Sequence, residues 1–166
     1  MRPTQDLVRE AIFSILHDKI TDCVFLDLCA GTGAVGLDAL SRGASSVVLV
    51  EKNRANAKFL KVNAGMLKGV EPKIFYGDAV SLLKSFRNRY QFDVIFSDPP
   101  YEKHGESQII KKILKTIDDC CLLDDGGIVI FFLSIREKEV VHDAFEIFKE
   151  KNYGKTKLVF YRKVTG

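Results

Sequence analysis

The stretch VFLDLCAGTGAVGLDAL, residues 24–40, decides the fold. Its first five residues form an apolar run that is broken only by Asp27, which is typical of a strand buried on both faces of a sheet. Gly31 and Gly33 then lead into residues 34–42, where apolar residues recur at helical spacing. A strand, a glycine-rich turn and a helix in this order predict the first βα unit of an α/β fold.

The same alternation continues along the chain. Further apolar runs predict strands at residues 47–50, 74–76, 94–96 and 128–133. Helical spacing predicts helices at residues 53–67, 79–88 and 107–120, and a short helix at 137–143. Residues 145–151 and 157–163 predict a hairpin around Asn152-Tyr153-Gly154. We therefore expect an α/β fold, with a mostly parallel sheet, helices on both faces and a C-terminal antiparallel hairpin.

Length and composition predict one domain. The chain has 166 residues, of which 46% are hydrophobic and 28% charged, so residues 1–166 can bury a core of their own. Residues 1–18 read as an N-terminal amphipathic helix segment that begins after Arg2-Pro3-Thr4. Neither an apolar run of about 18 residues nor a secretory signal is visible, so we expect a soluble, cytoplasmic protein without a membrane partner.

The cysteines and the net charge carry little functional information. The four cysteines, Cys23, Cys29, Cys120 and Cys121, include no C-x-x-C pair and have no histidine at metal-ligand spacing. They read as reduced thiols, and we expect no metal. The net charge of +3 is small, and the basic residues of the last eighteen positions are explained as well by a solvated strand face as by RNA binding.

Four successive predicted strands end near an acidic residue: Asp27, Glu51, Asp78 and Asp98. Ligands of open α/β sheets bind in the crevice outside the carboxyl ends of the strands, where these four residues are expected. Each acid also has a structural explanation, since Asp78 can cap a helix, Glu51 can be an exposed strand-end charge and Asp27 can bind loop amides. Together, they indicate a ligand that carries positive charge, amines and hydroxyls.

The glycine loop leaves two cofactor classes to compare. Gly31-Thr32-Gly33-Ala34-Val35-Gly36 is a G-x-G-x-x-G sequence, and Glu51 lies twenty residues after Gly31, which matches a dinucleotide-binding fingerprint. A dinucleotide would place its pyrophosphate over this turn, where Asp27 would face it with like charge. S-adenosylmethionine has no phosphate and carries a sulfonium and an ammonium group. The pattern D-x-x-x-G-x-G therefore favours S-adenosylmethionine.

Each acid has an expected contact with this cofactor. Asp27 is expected near its amino end, and Glu51 near both ribose hydroxyls. Asp78, together with the amide of Ala79, is expected to bind the adenine edge. The glycines at 31 and 33 allow the methionine and ribose to pass close to the backbone.

The sequence SDPPY, residues 97–101, follows the fourth strand and indicates the chemistry. An exocyclic base amine is a poor nucleophile because its lone pair is conjugated with the ring. Asp98 and the carbonyl of Pro99 can accept its two hydrogens, and Pro99-Pro100 restricts the backbone that holds them. Tyr101 can stack on the base. A strand-breaking loop is the structural alternative, but it explains only the prolines.

These motifs together resemble the S-adenosylmethionine-dependent amino-methyltransferases that carry an (N/D)PP(Y/F) motif. More closely, the sequence is similar to the RsmD-type enzymes that methylate N2 of a guanine in small-subunit (16S) ribosomal RNA. The similarity rests on RPTQDLVREAIFSIL, LDLCAGTGAVGLDALSRGA, VLVEKN, GDA, FDVIFSDPPY and YGKTKLVFYRK. The R-P-T-x-x-x-V-R-E and L-S-R-G-A segments favour this branch over DNA adenine enzymes.

The resemblance implies a class I methyltransferase fold and a set of site residues. Cofactor-binding residues would be Asp27, Cys29, Gly31, Gly33, Glu51, Lys52, Asp78 and Ala79. Catalytic residues would be Asp98, Pro99, Pro100 and Tyr101. Substrate-binding residues would be Arg2, Pro3, Thr4, Arg9, Tyr101 and His104. Cys29 departs from the family pattern, because it stands where such proteins usually have an aromatic residue.

The function expected from the sequence is methylation of an exocyclic base amine, with guanine N2 in 16S ribosomal RNA as the target. The expected cofactor is S-adenosylmethionine, and the expected partner is ribosomal RNA or the small ribosomal subunit, bound by a monomer. Adenine-N6 methylation of DNA or RNA remains an alternative because it uses the same DPPY chemistry. An NAD(P)-binding oxidoreductase and a non-catalytic RNA-binding module are the alternatives from other classes.

Overall fold

The computed structural model describes residues 5–31, 33–99 and 107–164. Within these ranges lie five α-helices and seven strands, with a short 3₁₀ turn, His17–Ile20, after the first helix. The helices are α1 (Gln5–Leu16), α2 (Ala34–Ser41), α3 (Arg54–Gly65), α4 (Ala79–Ser85) and α5 (Gln108–Asp119). The strands are β1 (Val24–Asp27), β2 (Ser46–Glu51), β3 (Lys73–Tyr76), β4 (Phe92–Ser97), β5 (Leu123–Ser134), β6 (Phe145–Tyr153) and β7 (Thr156–Lys163).

The seven strands form one sheet in the order β3-β2-β1-β4-β5-β7-β6. The pairs from β3 to β5 are parallel, and β7 runs antiparallel to both β5 and β6. The predicted mixed sheet with a C-terminal antiparallel hairpin is confirmed. Because β2 and β4 flank β1 on opposite sides, the strand order reverses at β1, and a crevice opens outside the carboxyl ends of β1 and β4.

Both faces of the sheet are covered. One hydrophobic cluster joins side chains of α1, α2 and α3 to one face, including Ile12, Ala39 and Leu60. A second cluster joins α4 and α5 to the other face, with Leu83 and Ile113 among its members. This arrangement explains why the central strands are apolar runs without alternation.

The parallel register fixes the height of the acids at the sheet edge. Asp27 pairs with Leu49 of β2 on one side and with Phe96 of β4 on the other. Glu51 and Asp98 therefore lie two residues beyond the level of Asp27 on the two neighbouring strands. The topology brings these three carboxylates to one edge of the sheet.

The predicted short helix at residues 137–143 is wrong. This segment is irregular, and side chains of β7 bind its carbonyls: Lys157 Nζ donates to the oxygen of Glu137 at 2.8 Å, and the hydroxyl of Tyr161 donates to that of Val140 at 2.8 Å. These carbonyls are therefore satisfied by side chains of β7 and do not depend on the amides of a helix. The amide of Phe145 then bonds the carbonyl of His142 at 3.0 Å, in the turn that leads into β6.

Most other predicted elements are found with shifted ends. Strand β5 begins at Leu123, five residues before the predicted strand, and its pairing with β4 is irregular between Phe92 and Val94. Helix α4 ends at Ser85, so it is shorter than predicted. Across residues 5–31, 33–99 and 107–164, no helix has the length and apolarity that a membrane span needs.

Candidate active site

The loop after β1 is tied together by the side chain of Asp27. Its Oδ1 accepts a hydrogen bond from the amide of Cys29, and its Oδ2 accepts one from the amide of Gly36, each at 3.3 Å. Asp27 is 1% exposed, so this carboxyl group fixes the end of the strand to the first turn of α2. One structural explanation weighed for this residue, the binding of loop amides, is therefore correct.

Gly31 is the point where this loop borders open space. Its φ is +58°, a left-handed conformation that favours glycine, and a Cβ built there would meet no atom within 4 Å among the described residues beyond its chain neighbours. Gly36, in contrast, is packed against the sheet, and its Cβ would lie 2.2 Å from Cδ2 of Leu49. The loop is thus tightly packed on its inner side and open at Gly31.

Glu51 closes the floor of the crevice beside this opening. It is 8% exposed, its Oε2 accepts the amide hydrogen of Gly31 at 2.8 Å, and its Oε1 accepts that of Asn53 at 3.3 Å. Each carboxylate oxygen has a second lone pair for a ligand hydroxyl. Glu51 is therefore a structural support of the loop with remaining capacity to bind a ligand.

Electrostatics shows that the acids converge. The pKa of Asp27 is raised to about 7, mainly by burial and also by the charges of Asp98 and Glu51, while the amide hydrogen bonds from Cys29 and Gly36 oppose this rise. The same two charges, with that of Asp27, also raise the pKa of the Cys29 thiol, which burial raises most, to about 11. Cys29 is therefore a neutral thiol near pH 7, and three carboxyl groups face one small volume.

Asp78 begins α4 as its N-cap. Its Oδ2 accepts hydrogen bonds from the amide of Ser81 at 3.0 Å and from the hydroxyl of Ser81 at 3.1 Å. These bonds lower the pKa of Asp78, and the charge of Lys52 contributes to the same effect. The second structural explanation, a helix cap, is also correct. Because Asp78 is exposed, its other oxygen remains accessible at the edge of the crevice.

The end of β4 forms the wall opposite Glu51. Ser97 is fully buried and its Oγ lies 3.6 Å from Sγ of Cys29, while the carbonyl of Phe96 accepts the amide hydrogen of Leu28 at 2.8 Å. These contacts join the end of β4 to the loop after β1. Asp98 is half-buried and Pro99 is buried directly after this junction.

Several predicted site residues lie outside the described part of the chain. These residues are Arg2, Pro3, Thr4, Pro100, Tyr101 and His104. Among the described ones, Arg9 lies on α1, where its guanidinium pairs with Asp6. Lys52 is exposed beside the crevice, and Ala79 is the first residue of α4. The predicted roles of these residues remain predictions.

Two buried polar residues near the carboxyl ends of β4 and β5 were not predicted from the sequence. Ser97 was not singled out, although a small polar residue between an apolar strand and Asp98 is the available signal. Glu137 is 7% exposed just beyond β5, and its Oε2 has no hydrogen-bond partner among the residues that the structure describes. Its placement in a helix hid this burial, because a surface helix commonly exposes its glutamates. No group of His, Cys, Asp and Glu side chains in the described ranges has the arrangement of a metal site.

The geometry defines what the crevice can bind. Two buried acids and a half-buried one surround the opening at Gly31, and an exposed acid stands at its edge. Such a set favours a cationic ligand with hydroxyls and amines, and it repels a phosphate placed on the same loop.

Comparison with known proteins agrees with this arrangement. The family model described as conserved hypothetical protein 95 matches residues 1–162. Ribosomal RNA small subunit methyltransferase D of Escherichia coli is 33% identical over 129 residues, which are 78% of this chain and 62% of that protein. YlbH of Bacillus subtilis is 31% identical over 166 residues, covering 98% of this chain and 88% of YlbH.

Solved structures share the fold. The structure of yhhF from E. coli has a TM-score of 0.85 and 29% identity, covering 98% of this chain and 88% of that chain. A 16S rRNA N2 G1207 methyltransferase of Thermus thermophilus, solved with AdoMet and guanosine, has a TM-score of 0.71 and 22% identity. It covers 99% of this chain and 44% of its own, and this likeness concerns the fold alone.

The match over residues 1–162, the relatives that are more than 30% identical and the class I methyltransferase architecture agree with one another. The chain belongs to the family described as conserved hypothetical protein 95, the family of the RsmD-type methyltransferases.

Proposed function

We propose that this protein transfers a methyl group from S-adenosylmethionine to an exocyclic base amine, namely guanine N2 in 16S ribosomal RNA. The observation that carries the proposal is the convergence of Asp27, Glu51 and Asp98 on the open space beside Gly31. A cationic cofactor relieves the repulsion among these carboxylates, and the burial of Asp27 strengthens that attraction.

The described residues fit this cofactor. Glu51 would hold the ribose hydroxyls, and Asp78 with the amide of Ala79 would bind the adenine edge. Asp27 would act on the amino end mainly through its charge and the loop that it fixes, because its oxygens already bind two amides. When bound, S-adenosylmethionine supplies a methyl group on a positively charged sulfur.

A dinucleotide fits the same residues poorly. Its pyrophosphate would lie on the glycine loop, whose amides already donate to the carboxylates of Asp27 and Glu51. Two like charges in a partly buried crevice would oppose it. An NAD(P)-dependent oxidoreductase is therefore the weaker candidate, in spite of the G-x-G-x-x-G sequence.

The end of β4 would hold the target amine. The Asp98 carboxylate and the Pro99 carbonyl would accept its two N–H groups, which favours the form whose lone pair is available for attack. With S-adenosylmethionine bound, the amine nitrogen would take the methyl group, the sulfur would keep the electron pair of the broken sulfur–carbon bond, and the surplus proton of the amine would pass to the Asp98 carboxylate or to water. Pro100 would restrict the backbone, and Tyr101 would stack on the base. Holding the reactants at contact distance can supply much of the rate.

The remaining assignments concern the substrate. The base must be unstacked or in a loop, because a paired base hides this amine. Arg2, Pro3, Thr4, Arg9 and His104 are proposed to contact the RNA near the entrance. We propose a cytoplasmic monomer that acts on ribosomal RNA or the small subunit. The relative in E. coli is named for small-subunit ribosomal RNA, which supports this class of substrate.

Labelled S-adenosylmethionine tests the proposal. The protein is incubated with small subunits, and separately with naked 16S RNA, from cells that lack the endogenous enzyme, and the labelled nucleoside is identified after digestion. We expect N2-methylguanosine from the wild type and a rate lower by about a hundredfold or more with Asp98→Ala, since the amine loses its positioning acceptor. Asp143→Ala removes an exposed acid and is the control.

Three results would contradict parts of this proposal. Label in N6-methyladenosine would assign the enzyme to adenine instead. Equal transfer by wild type and Asp98→Ala would remove Asp98 from catalysis. RNA binding without any transfer would identify a non-catalytic RNA-binding module.

A further inference from the structure

Helix α3 carries a row of positive charge on one face. Arg54, Lys58 and Lys61 follow one another at spacings of four and three residues, which places them side by side on the helix surface. All three are exposed, and the sequence of α3, RANAKFLKVNAG, contains no acid. The row extends about 10 Å along the helix axis, at 1.5 Å per residue.

This row is electrostatically unfavourable for the free protein. Like charges four residues apart destabilise a helix, and a cation in the first turn, where Arg54 lies, opposes the helix dipole. A solvated helix face usually mixes both signs of charge. A row of one sign at this place is explained by an anionic ligand, which would relieve both effects.

Two grooves run along the row. One, of about 560 Å³, lies between α3 and β3 and is lined by Lys52, Arg54, Lys58, Lys61 and Tyr76 among others. The second, of about 520 Å³, lies on the other side and is lined by Arg54, Lys58 and Phe59 among others. Among the described residues that line the two grooves, none is an acid. The cations therefore form a ridge between two concave surfaces.

Each groove also has an accessible aromatic ring. Tyr76 is 48% exposed, and Lys61 Nζ lies 5.1 Å from the centre of its ring. Phe59 is 62% exposed on the opposite side of the ridge. Cations that follow a backbone, together with rings on which bases stack, are the combination used by surfaces that bind single-stranded nucleic acid.

The position of the ridge connects it to the candidate active site. Lys52 lines the first groove and directly follows Glu51, and Gly77, also in its lining, directly precedes Asp78. The groove therefore begins at the carboxyl ends of β2 and β3, at the same edge of the sheet as the crevice. It continues outward along α3, away from the glycine loop.

From these observations we infer that the α3 ridge, Arg54, Lys58 and Lys61 with Phe59 and Tyr76, binds a single-stranded RNA segment that flanks the methylated base. The cations bind phosphates, and the two rings stack on bases. This inference rests on the proposed function for the identity of the RNA. The binding itself is measured without methyl transfer.

The test compares two charge-reversal variants. Lys58→Glu/Lys61→Glu alters the ridge, and Lys111→Glu/Lys112→Glu makes the same charge change on exposed residues of α5, which covers the opposite face of the sheet. Affinity for a fluorescein-labelled single-stranded RNA of about 12 nucleotides is measured by anisotropy at several salt concentrations. We expect the ridge variant to bind at least about tenfold more weakly, and its log–log salt slope to fall by about 1.4, because two phosphate contacts are lost.

A third variant separates stacking from charge. We expect Phe59→Ala to weaken binding about fivefold or more with an unchanged salt slope, because a stacking ring is lost and no cation is. Calorimetry with S-adenosylmethionine should give the same affinity for all variants. If transfer fails in the wild type while these RNA results hold, the proposed function is wrong and the ridge remains an RNA-binding surface.

Three results would overturn the inference. One is wild-type affinity in the ridge variant. Another is an equal loss of RNA affinity in the α5 control, which would show that the effect depends only on the net charge of the protein. The third is that the wild-type protein binds a labelled polyglutamate peptide as tightly as it binds RNA. This result would identify a site for acidic protein segments instead.

Discussion

The side chains of Asp27 and Glu51 both hold backbone amides of the loops that border the crevice. Asp27 binds the amides of Cys29 and Gly36, and Glu51 binds those of Gly31 and Asn53. The same bonds that hold the loop fix the positions of the negative charges. The two carboxyl groups are therefore oriented without a ligand, and the proposed cationic cofactor would bind without the cost of arranging them.

Gly31, in the loop after β1, and Gly36, in the first turn of α2, should respond differently to the same substitution. In Gly36→Ala, the new Cβ would lie 2.2 Å from Leu49, so α2 must shift from the sheet, and we expect a loss of about 1–3 kcal/mol in the free energy of unfolding. In Gly31→Ala, the new Cβ meets no described residue within 4 Å beyond its chain neighbours, and the left-handed φ costs about 1–2 kcal/mol. Because this Cβ enters the open space, S-adenosylmethionine should bind at least about tenfold more weakly, since 1.4 kcal/mol corresponds to a factor of ten.

Chemical denaturation and calorimetry check the pair. The cofactor affinity of Gly31→Ala is compared with that of Gly36→Ala, measured at a temperature where Gly36→Ala is still folded. Wild-type affinity in Gly31→Ala would mean that the cofactor does not pass over this loop.

At the residue scale, the sequence was sufficient to predict which acids meet at the sheet edge. Strand ends can be read from apolar runs, and a parallel sheet brings them to one side. The backbone bonds of Asp27 and Glu51 could be listed only as alternatives, because they depend on the path of the loop. The burial of Glu137 was hidden by the wrong helix.

Helix α4 shows how an element can use a residue that also borders the site. Asp78 caps the helix through two bonds with Ser81, and it stands where the adenine edge of the cofactor is proposed. A cap and a ligand contact make different demands. The cap needs one oxygen acceptor, whereas the adenine contact needs the reach and charge of a carboxylate.

Substitution of Asp78 separates these two roles. Asp78→Ala should lower the free energy of unfolding by about 1 kcal/mol, because the cap is lost. Asp78→Ser should restore most of that stability, since serine also caps helices, while the affinity for S-adenosylmethionine stays low in both variants. Thermal unfolding and calorimetry measure the two effects. Full cofactor affinity in Asp78→Ser would show that Asp78 is a cap alone.

The sequence predicted the elements whose apolar spacing reflects burial. It did not predict the segments whose secondary structure depends on contacts with distant parts of the chain. The central strands and the helices between them follow from apolar spacing. Residues 137–143 are irregular, and the carbonyls of Glu137 and Val140 accept bonds from Lys157 and Tyr161 of β7, which lie 20 and 21 residues later in the chain. The early start of β5 likewise depends on its pairing with β4.

At the scale of the whole molecule, the two faces of the sheet are covered by different sets of helices. Helices α4 and α5 cover one face, and α1, α2 and α3 cover the other, which presents the ridge. The βα repetition was enough to predict the class of fold. The position of β7 between β5 and β6 could not be read from the chain, since a hairpin can join a sheet through either strand.

The stability of the ligand-free protein should report the burial of Asp27. Its folded pKa, about 7, lies above the value of 3.8 for an exposed Asp, so the folded state holds the proton more tightly. The resulting stabilisation is complete below pH 3.8 and is lost as the pH rises to about 7, on the order of 4 kcal/mol in all.

The variant Asp27→Asn isolates this contribution. Relative to Asp27→Asn, the wild type should lose unfolding free energy as the pH rises from about 4 to 7. The difference between the two proteins should stay constant above pH 7. Urea denaturation at several pH values measures it. A difference that is independent of pH would mean that Asp27 is not buried as a protonated acid.

The central claim is that carboxylates at the strand ends bind a cationic methyl donor. Isothermal titration calorimetry of S-adenosylmethionine tests it most directly, with wild type, Glu51→Gln and the exposed control Glu71→Gln, and with NADPH as the competing ligand. We predict binding of S-adenosylmethionine to the wild type and the control, an affinity lower by about tenfold or more in Glu51→Gln, and no heat with NADPH. Tight binding of NADPH together with no heat from S-adenosylmethionine would contradict the claim.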